Sequence, residues 1–144
     1  STTLFLTALD NGRHSTYQYG LPESGSVEVE TTTVDAFLEV EGWPQVDLVK
    51  IDVEGAEIDV LTGMSNLLSK SSNIQMIIEF NPCLLQNAGV DVHQFLAMPA
   101  GWGFTVSLVD EEKGILPFEG IDSAQLTARL LESEGSVNFF CKKQ

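Results

Sequence analysis

The 144 residues predict an α/β domain with a mostly parallel, doubly wound sheet. Three observations predict it. Short apolar runs at 46–53, 74–80, 104–109 and 137–141 read as strands, with amphipathic stretches between them. The run at 46–53 is nearly continuous, as strands buried on both faces of a parallel sheet are. Helices between such strands make βαβ units, whose right-handed crossovers wind a layered sheet.

The elements follow in order. Leu4 to Leu9 reads as a strand and Asp10-Asn11-Gly12 as its turn. His14 to Tyr19 reads as a short extended segment, Gly20 to Ser26 as a loop, and Val27 to Glu30 as a strand of period two. Thr32 to Asp35 fits the S/T-x-x-D/E capping pattern and opens a helix through Leu38, ended by Gly42 and Pro44. The Val46–Val53 strand turns at Glu54-Gly55. A helix from Ala56 to Ser69 follows, with Leu61, Met64 and Leu68 on one face. After the strand Ile74 to Phe80, Asp91 with Gln94 caps a helix reaching Met98. Gly101-Trp102-Gly103 is a loop. Asp122 with Gln125 opens a helix to Glu132, between the strands Phe104–Val109 and Val137–Cys141. That closing strand pair can include an antiparallel edge. No internal repeat divides the chain, so 1–144 reads as a single domain.

Composition narrows the function classes. Hydrophobic residues make up 43% and charged residues 19%, which fits a soluble globular domain. No apolar run reaches the roughly 20 residues of a membrane span, and Ser1-Thr2-Thr3 does not open a signal peptide. The first residue is not Met, which points to processing or to a piece of a longer chain. Seven basic residues against 21 acidic ones give a net charge of −14. That disfavours nucleic acid and anionic membranes, both of which need Lys and Arg. Cys83 and Cys141 have no metal-ligand spacing and read as buried free thiols in a reducing, cytoplasmic setting.

Chemistry is expected at the carboxyl ends of the strands. Lys50, Asp52 and Glu54 alternate onto one face at the first such end. Glu57 sits in the first turn of the next helix, where the dipole favours negative charge and a structural role suffices. Glu79 and Asn81 close the neighbouring strand. Asp52 and Glu54 read as the functional pair. His14 and His93 have the more suitable intrinsic pKa for a base, but lie in a loop and a first helical turn, where surface roles suffice.

The stretch Val46-Asp47-Leu48-Val49-Lys50-Ile51-Asp52-Val53-Glu54-Gly55-Ala56-Glu57, followed by Val60-Leu61-Thr62-Gly63-Met64, resembles the signature of the FkbM family of methyltransferases. Thr31-Thr32-Thr33-Val34-Asp35, Ile77-Ile78-Glu79-Phe80, and Ala8-Leu9-Asp10 with Gly12 are similar to further family segments, in order and spacing. The resemblance spans about Leu4 to Pro82. It implies a Rossmann-like methyltransferase fold and S-adenosylmethionine-dependent methylation of a hydroxyl on a sugar, glycolipid or polyketide-type molecule. It also implies that Asp10 contacts the cofactor and that Asp52 and Glu54 serve as bases. Lys50, Glu57, Glu79 and Asn81 are left as substrate-binding or structural rim.

The family's glycine-rich cofactor loop would precede Leu4, so the chain reads as the C-terminal half of the domain, incomplete at its N-terminal side and inactive alone. Gly101-Trp102-Gly103 sits after a helix and before a strand, the wrong context for that loop. Further expectations follow. Asp52, Glu79 and Asn81 offer oxygen ligands to a divalent cation such as Mg²⁺, though no metal is assigned. The uncovered edge of the Val46–Val53 strand predicts self-association into a homodimer. A non-catalytic module that binds itself or a partner is the alternative to the enzyme, and a small acidic cation-binding protein is a third reading.

Overall fold

A computed structural model of the chain describes residues 1–7, 14–18 and 23–143. In chain order the elements are β1 (Thr2–Thr7), β2 (Glu23–Val29), α1 (Val34–Val40), β3 (Leu48–Ile51), α2 (Glu57–Gly63), α3 (Ser65–Lys70), β4 (Gln75–Phe80), α4 (Pro82–Asn87), α5 (Val92–Gly101), β5 (Phe104–Asp110), β6 (Gly114–Pro117), α6 (Ser123–Ser133) and β7 (Val137–Lys143). β1 and β2 form an antiparallel hairpin of their own, and the other strands form one sheet in the order β3-β4-β7-β5-β6.

The α/β class is as expected, but the sheet is mixed rather than mostly parallel. β3 and β4 pair in parallel, and the other three pairings are antiparallel. The reason lies in two connections. Three residues join β5 to β6, too few for a parallel crossover. After α6 the chain returns as β7 and inserts between β4 and β5, against the direction of both.

The sheet is also one-sided in its burial. Met76, Ile78, Phe80, Phe139, Cys141 and Phe104 alternate onto the core face and are buried. The opposite face carries Lys50, Gln75, Ile77, Glu79, Asn138 and Phe140, all exposed or half-buried. The buried residues of α1 to α6 join the core face in one cluster, from Leu38 through Leu61, Leu68 and Phe95 to Leu130. β3 is an edge strand, and Leu48 on it is 54% exposed, so the strand is not buried on both faces as its apolar run predicted.

Local differences have local causes. The long helix expected from Ala56 to Ser69 is two helices that meet at Met64, whose backbone leaves the helical region at φ −121°. Gly63 lies where a Cβ would come within 3.3 Å of the Thr33 Cβ, so this glycine permits α2 to approach the start of α1. Thr33, rather than Thr32, caps α1, its hydroxyl accepting from the Ala36 N–H at 3.1 Å. Asp35 caps a different helix: its carboxylate accepts from the N–H groups of Asn66 (2.8 Å) and Leu67 (3.0 Å) at the start of α3. Asn81-Pro82 opens α4, a helix that the apolar pattern alone did not reveal. Asp91 and Asp122 cap α5 and α6 as their spacing predicted.

Candidate active site

The site is built on the turn between β3 and α2. Glu54 and Gly55 both have positive φ, 52° and 96°. Glycine adopts this region freely, whereas a glutamate there costs roughly 1–2 kcal/mol and must be held. Glu57 holds it from beneath. Its carboxylate is buried, and Oε1 accepts from the N–H groups of Gly55 at 3.2 Å and Val53 at 3.4 Å. Its other oxygen is buried without a hydrogen-bond partner among the described residues. From the N-terminal segment, the Ser15 hydroxyl donates to the Glu54 carbonyl at 2.9 Å, and the Tyr17 hydroxyl donates to Asp59 at 2.9 Å. Ser15 is placed by a bridge to Phe5 of β1, so the hairpin is tied to the turn.

Around this turn three carboxylates converge. Asp52, Glu54 and Glu79 each present an oxygen within 4.8 Å of the other two. Asp52 and Glu79 share the open face at the ends of the parallel pair, because Ile51 pairs with Ile78 in register. Lys50 reaches the Asp52 carboxylate at 3.1 Å and the Asn138 side-chain oxygen at 3.1 Å. This pair is about half exposed, so it orients Asp52 rather than adding much stability. The Ser136 hydroxyl donates to Glu79 at 2.7 Å. Partial burial raises the Glu79 pKa above its ordinary value; the Ser136 hydrogen bond opposes this, and the Asp52 charge adds to the rise. A cleft of about 560 Å³ opens beside the cluster, with Glu54, Glu79 and Asn81 on its wall and Glu134 and Ser136 among its other lining residues.

The structure therefore brings Lys50, Asp52, Glu54 and Glu79 together, as their positions in the sequence predicted. Asn81 lines the same cleft, but its oxygen caps α4 through the Leu84 N–H at 3.3 Å. Glu57 supports the turn from below. Asp10 lies outside the described residues. His14 accepts from the Thr7 N–H at 3.3 Å, and His93 is exposed on α5. Gly101-Trp102-Gly103 leads into Phe104, which pairs with Lys143 at the far end of the β5–β7 ladder from Asn138. Ser136 and Asn138 were not legible in the sequence, since only the insertion of β7 beside β4 brings them to Glu79.

A turn that projects clustered carboxylates beside a cleft can take a proton from a bound hydroxyl or hold a positively charged group. The family model described as the Methyltransferase FkbM domain matches residues 1–106, from the hairpin through this turn and into β5. The chain belongs to the FkbM methyltransferase family. This FkbM chain is also 35% identical over 81 residues to the hexuronic acid methyltransferase AglP of Haloferax volcanii. The alignment covers 56% of the chain and 28% of that protein, so the chain spans well under half of the curated relative it matches. No solved structure matches it.

Proposed function

We propose that this FkbM domain carries the acceptor side of an S-adenosylmethionine-dependent O-methyltransferase acting on a hydroxyl of a sugar, glycolipid or polyketide-type molecule. The observation that carries this reading is the convergence of Asp52, Glu54 and Glu79 beside the cleft, within the residues that the family model matches. The relative's name, which specifies a hexuronic acid, supports a sugar-class acceptor.

The donor set suits the cofactor. It consists of oxygens and is negative, which complements ribose hydroxyls and a positively charged sulfonium. When bound, S-adenosylmethionine supplies an electrophilic methyl group and departs as a thioether. The chain's residues do the remaining work. Asp52 or Glu54 accepts the proton of the acceptor hydroxyl as its oxygen forms the new bond to carbon. Lys50 fixes the Asp52 carboxylate for that transfer. The cleft aligns the hydroxyl, and alignment of this kind supplies on the order of 7–11 kcal/mol of the barrier in well-oriented systems. Asp10 is assigned to the cofactor in this proposal. The sequence shows no glycine-rich loop in the context a cofactor site requires, so binding is best measured in the gene product that carries this chain. Calorimetric titration with S-adenosylhomocysteine should give one-to-one binding, and its absence there would sink the methyltransferase reading.

A second reading has its own observation. β3 is an edge strand with Leu48 exposed, and the sheet face bearing Ile77 and Phe140 is only half covered. Such a surface favours a covering partner, which we take to be a second copy of the chain or a further segment of the same protein. Among the described residues no helix is long and apolar enough to cross a membrane. Cys83 and Cys141 are free, and burial pushes the Cys141 thiol up to about 12. A cytoplasmic site of action, away from membranes and nucleic acid, is part of the same proposal.

A further inference from the structure

Residues 107–144 lie beyond the family-model match, yet Ser136 and Asn138 touch the site. Strand β7 brings them there by pairing antiparallel with β4, with Asn138 opposite Glu79 in register. Ser136 stands just before that strand. The turn out of α6 delivers it to the cleft wall: Glu134 adopts the left-handed region at φ 51°, and the Gly135 N–H donates to the Leu130 carbonyl at 3.0 Å.

The Asn138 side-chain oxygen accepts from the Lys50 ammonium at 3.1 Å, and the same ammonium donates to Asp52 at 3.1 Å. The lysine therefore reaches across β4, which lies between β3 and β7. A lysine head on its four-carbon stem has many rotamers, and one half-exposed carboxylate does little to choose among them. An acceptor on a second strand does choose, because only conformers that reach β7 satisfy both. The β4–β7 ladder thereby becomes the reference for the Asp52 carboxylate. Ser136 acts on the neighbouring carboxylate, donating to Glu79 at 2.7 Å. Burial is the main cause that raises the Glu79 pKa; the Ser136 hydrogen bond opposes it, Asp52 adds to the rise, and the Lys50 charge lowers it. Glu54 from the turn and Glu134 across the cleft are the other charged groups around it.

We infer that Asn138 and Ser136 are positioning residues of the site: Asn138 holds Lys50, and through it Asp52, while Ser136 holds Glu79. Their significance for the reaction rests on the methyl-transfer reading above, whereas the contacts are measurable without it.

In the full chain, NMR relaxation of the Lys50 ammonium and titration of the Glu79 carboxyl test the contacts. N138L keeps the side-chain bulk and removes the acceptor, and should release Lys50 to the mobility of an exposed lysine. N138A should do the same if the leucine disturbs the sheet, and N138D, which retains an acceptor, should keep Lys50 ordered. S136A should move the Glu79 titration to higher pH, and S136T, which keeps the hydroxyl, should leave it near the wild type. In the gene product that carries this chain, transfer of a labelled methyl group to glucose and glucuronate tests the role. N138L should lower kcat by about 10-fold, within the roughly 10²-fold that a misplacement of about 1 Å can cost, with KM for the sugar near its wild-type value. An ordered Lys50 in both N138L and N138A, or an unmoved Glu79 titration in S136A, would overturn the inference. So would an undiminished kcat in N138L once Lys50 is released. Release of Lys50 in N138L, with no S-adenosylhomocysteine binding by the wild-type gene product, would keep the contacts and remove the methyltransferase reading.

Discussion

Glu57 shows how one buried carboxylate can govern a site that it does not enter. It satisfies the Gly55 and Val53 N–H groups and so holds Glu54 in its strained conformation. Removing it in E57A leaves two donors unpaired, one of them buried, and should cost about 1–3 kcal/mol in denaturant unfolding. E57Q keeps an acceptor in place and loses no hydrogen bond at the other oxygen, which has no partner among the described residues. It should therefore retain most of that stability. Equal losses in both variants would show that the charge, rather than the acceptor, holds the turn.

Glu79 carries a different signature. Its folded pKa is raised above the ordinary value of 4.5, first by burial. Between 4.5 and the raised value, the folded chain binds more proton than the unfolded one, so stability falls as pH rises through that window. E79Q abolishes this slope. Melting curves across pH should show the wild type losing ground to E79Q as the pH climbs from 4.5, and parallel curves would refute the assignment.

At the scale of elements, the motif residues serve connections as much as chemistry. Asp35 supplies the cap that Met64 cannot provide, tying α1 to the start of α3. D35A should destabilise the chain by about 1 kcal/mol, the usual value of a helix cap, measured by denaturant midpoint. An unchanged midpoint would remove Asp35 from this role. Here the limits of the sequence are visible. The spacing Thr32 to Asp35 located the start of α1 to within a residue, although Thr33 is its cap. It could not show that the aspartate faces a helix 31 residues away. Likewise, alternation and the Asp52-Val53-Glu54-Gly55 turn placed the carboxylates at a strand end. Their meeting with Ser136 and Asn138 depends on which strand enters between β4 and β5, and no local pattern encodes that. The run at 46–53 predicted full burial because its residues are apolar; its place at the sheet edge is a tertiary fact.

The whole molecule is a mixed sheet with a packed face and a half-covered one, and its carboxylate cluster stands on the rim of the second. That arrangement gives the uncovered surface a direct consequence for solution behaviour. The chain should self-associate at micromolar concentration in sedimentation, and L48K, which places a charge on the free edge, should shift it toward monomer. A wild-type monomer would mean that the edge is protected in another way.

The central claim is that Asp52 and Glu54 act on the acceptor hydroxyl. The most direct measurement is transfer of a labelled methyl group from S-adenosylmethionine to pyranose acceptors by the gene product that carries this chain, comparing wild type with the D52N/E54Q double variant. The account predicts transfer by the wild type and a loss of about 10²-fold or more in kcat for the variant, the scale of a missing general base. Undiminished kcat in the double variant would contradict it.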